Sequence, residues 1–161
     1  MTRRWVVNAS PLILLGKIGR VSLLKALSDE LLLPETVVSE VGIRSGGERV
    51  LEELVSLAGV EVTPSRGVPP EVEAWDLGPG ESQVLTLALL RQDSRAVLDD
   101  LEARRCAQSL GVAVIGTLGV VLRAKRRGVI ASGRGLIEEL RRAGMYVSEA
   151  LGESALKHLG E

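Results

Sequence analysis

Short β-branched and leucine-rich runs alternate along the chain with longer stretches whose apolar residues recur at helical spacing. WVV at 5–7, LLL at 31–33, VEV at 60–62, AVL at 96–98 and VAVI at 112–115 predict five strands. Between them the period lengthens. Leu23, Leu24 and Leu27, then Val37, Val38 and Val41, then Val50, Leu51, Leu54 and Leu57, then Val84, Leu85, Ala88 and Leu89 each mark one face of a helix. Strand followed by helix, repeatedly, predicts βαβ crossovers and hence an α/β fold, a parallel sheet flanked by helices on both faces.

The punctuation agrees. Ser10 and Pro11 offer a helix cap and a proline at the first helical position, and Pro34 plays a similar part after the second strand. Segment 63–82, TPSRGVPPEVEAWDLGPGES, concentrates Pro and Gly and predicts a mobile surface loop leading into a long helix that begins near Glu81. From about residue 132 the pattern predicts one or two further helices, with Gly128 and Gly144 as C-terminal stops. A length of 161 residues suits one domain, 1–161, with that helical extension at its end.

Composition narrows the chemistry. With 20 basic and 21 acidic residues the chain has no global charge bias toward nucleic acid or membrane. The lone Cys106 excludes an internal disulfide and a Cys-x-x-Cys metal site; among Ala107 and Leu110 it fits a small buried hydrophobe. The single His158 removes most support for imidazole catalysis, so any metal is held by oxygen. Asn8, Ser10 and Pro11 interrupt the first apolar run, which fits neither a signal peptide nor a membrane span of about 20 apolar residues. A cytoplasmic protein without membrane contact is expected.

In an open parallel sheet, functional residues gather beyond the carboxyl ends of the strands, where the strand order reverses. Asn8 follows the first strand, Asp99 and Asp100 follow the fourth, and Glu81 opens the helix leading to it. Glu40 lies beside the buried stripe of its helix, where a carboxylate is costly unless something pairs with it.

The segments VVNASPLILLGKIG, LPETVVSEV, GPGESQVLTLAL, VLDDLEARRCAQSLG and VIGTLGVVLRAKRRG, taken in that order, resemble the PIN-domain proteins, in particular a prokaryotic branch of unknown function related to VapC-type toxins. The resemblance implies a five-stranded sheet of order 3-2-1-4-5 and an acid cluster binding Mg²⁺ or Mn²⁺ for cleavage of RNA phosphodiesters. It also implies a homodimer and, for a toxin, a small antitoxin partner. It places the family's acids on Asn8, Glu40, Glu81 and either Asp99 or Asp100, with Asp100 aligning slightly better. Position 8 departs from the pattern: an amide keeps a coordinating carbonyl but loses a negative charge and general-base capacity.

Each candidate also has a structural alternative. Asn8 and Ser10 fit turn and cap residues, Asp99 with Glu102 fits a capping arrangement, Glu81 suits any helix N-terminus, and Glu40 fits a salt bridge to an arginine. Thr117 fits a helix cap or a contact to phosphate. Arg123, Lys125, Arg126 and Arg127 form the candidate surface for an RNA backbone, or a solvated helix face. No Phe, one Tyr and two Trp leave little for a stacking platform. GPG at 78–80 lacks the Lys and Ser/Thr of a P-loop. The expected function is a metal-dependent endoribonuclease; the alternative is a degenerate PIN domain that binds RNA or protein without cleaving.

Overall fold

A computed structural model describes residues 2–161. The first crossover runs from β1 (Arg4–Val7) through α1 (Ala9–Lys17) and α2 (Ser22–Ala26) to β2 (Glu30–Pro34); α3 (Glu35–Gly42) and α4 (Gly47–Val55) then lead to β3 (Val60–Thr63). The chain returns through α5 (Pro70–Glu73) and α6 (Pro79–Leu90) to β4 (Ser94–Val97), and α7 (Leu101–Ser109) connects to β5 (Ala113–Ile115). Three helices finish it: α8 (Thr117–Arg126), α9 (Gly133–Arg142) and α10 (Glu149–His158).

All strand pairs are parallel and the order is β3-β2-β1-β4-β5. The five expected strands are therefore all present, with ends moved by one or two residues. β1 is central because it is apolar on both sides. Trp5, Val6 and Val7 are buried, as are Leu31 to Leu33 on β2 and Ala96 and Val97 on β4. A strand covered on both faces needs an unbroken apolar run rather than alternation. Each buried leucine contributes about 1.5–3 kcal/mol.

Two local expectations are corrected. Helix α1 begins at Ala9, so Asn8 is its N-cap residue and Ser10 lies inside the first turn. Pro11 is tolerated there because the first turn's N–H groups have no intrahelical partner. Segment 63–82 is not a free loop. It contains α5, whose Val72 is fully buried, and Gln83 holds it by accepting from the Arg66 N–H at 3.0 Å and donating to the Arg66 carbonyl at 2.7 Å. Helix α6 starts at Pro79, with Gly78 as N-cap.

The tail folds back on the sheet layer. Gly128 and Gly144 adopt φ of 70° and 108° after α8 and α9, left-handed stops as expected. Leu136, Ile137, Leu140 and Leu156 join the central core. The Glu161 side chain accepts from Gly133 N–H at 2.8 Å and Ser132 Oγ at 2.9 Å, closing the N-terminus of α9. Among the described residues no helix is long and apolar enough to cross a membrane.

Candidate active site

The strand order reverses between β1 and β4, which are neighbours, and a cleft of about 880 Å³ opens beyond their carboxyl ends. Asn8, Glu40, Glu81 and Asp99 all line it. Each arrives from a different element: Asn8 where β1 ends, Glu40 in the last turn of α3, Glu81 in the first turn of α6, and Asp99 after β4.

Asn8 sits deepest, 3% exposed, its N–H donating to the Val97 carbonyl at 3.1 Å and so tying the ends of β1 and β4 together. Its Nδ2 donates to Glu81 Oε1 at 3.3 Å, which orients the amide and leaves Oδ1 buried without a hydrogen-bond partner. That oxygen shares its surroundings with Glu40. A Cβ added to Gly80 would lie 3.0 Å from Asn8 Oδ1 and 2.8 Å and 3.0 Å from the two Glu40 oxygens, so the missing side chain leaves a small space with three oxygens around it. Burial, reinforced by the Glu81 charge, raises the pKa of Glu40, while the Gly80 N–H and Arg44 pull it the other way. No salt bridge relieves it.

The aspartate pair divides its tasks. Asp99 turns into the cleft, accepting from Thr117 N–H at 2.8 Å, Thr117 Oγ1 at 2.6 Å and Ser10 Oγ at 3.3 Å. Asp100 is exposed and is the N-cap of α7, accepting from Ala103 N–H at 2.9 Å. Of the two it is Asp99, not the slightly better-aligned Asp100, that reaches the cleft, and the capping role falls to Asp100. Thr117 is fully buried and its hydroxyl donates to Asp99. Gly116 rather than Thr117 is the N-cap of α8.

The basic candidates lie elsewhere. Helix α8 starts at the cleft and carries Arg123, Lys125 and Arg126 about 9–14 Å along its axis from Thr117, with Arg127 just beyond. None of the four lines the cleft. Arg123 stands near Arg95, and burial together with that like charge lowers the Arg95 pKa; Lys125 donates to the Ala131 carbonyl at 2.6 Å. The cations that do line the cleft are Arg44 and Arg104. Their spacing offered a signal, since Arg44 is four residues after Glu40 and Arg104 four after Asp100.

A divalent ion of the Mg²⁺ class prefers oxygen ligands and is usually held by one or two carboxylates with retained water. Glu40, Glu81 and the unpartnered Asn8 Oδ1 fit that demand, with Asp99 beside them. Among the described residues no three acidic, His or Cys side chains converge as a metal cage.

Among the described residues, carboxylates without ion-pair partners thus gather at the switch point of an open parallel sheet in an α/β domain. The family model DUF3368, described as a PIN domain, matches residues 4–161, and the chain belongs to the PIN-domain family. Membership makes this a nuclease-type fold, and PIN domains generally use divalent metal ions and act on RNA. No curated protein matches the chain significantly.

Proposed function

We propose that the protein is a divalent-metal-dependent endoribonuclease, the toxin of a toxin–antitoxin pair, acting in the cytoplasm as a single domain over 1–161. One observation carries this: Asn8 Oδ1, buried and without a partner, shares with the Glu40 carboxylate the space left by Gly80. A buried carbonyl without a partner costs about 1–3 kcal/mol, which a cation would offset. Glu40, Glu81 and Asn8 would hold Mg²⁺ or Mn²⁺, with Asp99 assisting. When bound, the ion supplies an acidified water as nucleophile and stabilises negative charge growing on phosphorus.

The chain's own residues do the rest. Asn8 Nδ2 fixes one Glu81 oxygen, leaving the other free as a ligand. Thr117 and Ser10 lock the Asp99 carboxylate in one orientation. Arg44 and Arg104 supply positive charge to a phosphate in the cleft. Ile43, 86% exposed, and Leu101, 60% exposed, support an apolar surface for an antitoxin or for a second copy in a homodimer.

The amide at position 8 favours a second reading, a degenerate PIN domain that binds RNA or protein without cleavage. Calorimetric titration of Mn²⁺ into the protein and its Glu40→Gln and Glu81→Gln variants, paired with an RNA cleavage assay, separates them. Metal binding lost in both variants, with metal-dependent cleavage by the parent, supports the nuclease. Folded protein that binds no metal at millimolar concentration sinks it.

A further inference from the structure

We propose that Tyr146 is a base-stacking residue that seats an unpaired nucleotide of the RNA beside the phosphate to be cut; this rests on the RNA-directed function proposed above. Tyr146 lies in the connection between α9 and α10, far in sequence from the cleft acids, yet it lines the same cleft as Asn8, Glu40, Glu81 and Asp99. Its ring is 89% exposed and its hydroxyl has no hydrogen-bond partner among the described residues. The two Trp residues are unavailable: Trp5 is 2% exposed in the centre of the sheet, and Trp75 packs against the core. With no Phe in the chain, Tyr146 is the one aromatic ring offered to solvent, and it stands at the candidate active site.

The segment that carries the ring is held in place. The Arg141 guanidinium donates to the Val147 carbonyl at 3.1 Å and to the Ser148 carbonyl at 3.1 Å, and Met145 N–H donates to the Leu140 carbonyl at 2.9 Å. Val147 is buried and Met145 packs on the core, so the residues on either side turn inward while Tyr146 turns out. With its backbone held in this way, only the two side-chain torsions of Tyr146 are left to be ordered when something stacks on the ring. Leu151, half exposed on the first turn of α10, adds apolar surface to the same cleft, and Arg104 adds charge for the adjoining phosphate. Flat apolar surface beside cationic groups suits single-stranded nucleic acid, whose bases stack while its backbone follows the positive charge. A duplex keeps its bases stacked on one another and gains nothing from the ring.

The test measures fluorescence anisotropy of a labelled short single-stranded RNA, its abasic counterpart and a duplex, without divalent metal so that nothing is cut. Tyr146→Ala is expected to weaken single-strand binding about tenfold, Tyr146→Phe to leave it unchanged, and neither to alter binding of the abasic strand or the duplex. Equal binding of single-stranded RNA by Tyr146→Ala and the parent overturns the stacking role while leaving the RNA-directed function standing. An equal loss on the abasic strand also overturns it. A parent protein that binds no RNA overturns both together. Sedimentation of the same variants completes the test: a parent dimer that Tyr146→Ala dissociates assigns the ring to a second copy of the chain and rejects the proposal.

Discussion

At the amino edge of the sheet Asp29 lies 3.2 Å from Arg3 and Glu30 lies 2.6 Å from Arg4, whereas at the carboxyl edge Glu40, Glu81 and Asp99 form no ion pair. The same side-chain type thus meets opposite electrostatics at two ends of one sheet. Arg3 holds Asp29 well below its ordinary range, at about 2, while burial and Glu81 push Glu40 upward. Paired acids at one edge serve the fold, and unneutralised acids at the other are costly to it. Under the proposed function, that cost is what a bound cation would offset.

The largest effect that sharpens this contrast comes from Glu81→Gln, which removes a carboxylate from the unpaired edge. Mn²⁺ affinity by calorimetry is expected to fall at least about 100-fold, with the fold intact by circular dichroism. Next, Asn8→Asp adds a fourth carboxylate to that edge, at the place where the resembled pattern has one. It should raise Mn²⁺ affinity about tenfold, since ligand charge tunes affinity, while lowering the melting temperature of the metal-free protein through like-charge repulsion. An unchanged affinity there would break the comparison, because charge at that edge would then have nothing to do with metal. Third, Asp100→Ala removes a cap and should cost about 1 kcal/mol in chemical denaturation while leaving metal binding unaltered.

The smallest effect is the dependence of stability on pH, measured as melting temperature in the absence of metal. Asp29 has a folded pKa near 2 against an ordinary 3.8, so its contribution is complete above about 3.8 and is lost as pH falls through 2; Asp29→Asn should flatten that acid limb. Glu40 has the opposite sign. Its folded pKa is raised above 4.5, so stability is greatest below 4.5 and declines as pH rises through the raised value. Glu40→Gln should therefore raise the melting temperature at neutral pH and change nothing in strong acid. Added salt should shrink the Asp29 effect, since that pair is exposed.

The fold was legible because strands buried on both faces leave short unbroken apolar runs such as Leu31 to Leu33, set off from the longer helical stretches by the turn residues around them. Asn8, Glu40 and Glu81 were legible for a related reason: a polar residue at the end of a buried strand, or beside a buried stripe, stands out. The Asp99 and Asp100 pair was not, because the first turn of α7 decides which of two successive residues becomes the cap. Ser10 misled because the helix begins two residues earlier than a Ser-Pro pair suggests. The run from Arg123 to Arg127 lies outside the cleft, since a cluster in sequence says nothing about which end of a helix it occupies, and it stays a proposed surface for an RNA backbone. Tyr146 was invisible as a site residue, since its place depends on how α9 and α10 fold back.

Gly80 has a consequence for the proposed metal site. A methyl group at that position would stand 2.8 Å from Glu40 Oε1 and 3.0 Å from Asn8 Oδ1, so it would plug the space those oxygens face while leaving every acid in the sequence untouched. Under the function proposed above, Gly80→Ala is therefore expected to weaken Mn²⁺ binding with every acid still in place, unless the Glu40 side chain swings aside to make room for the methyl group.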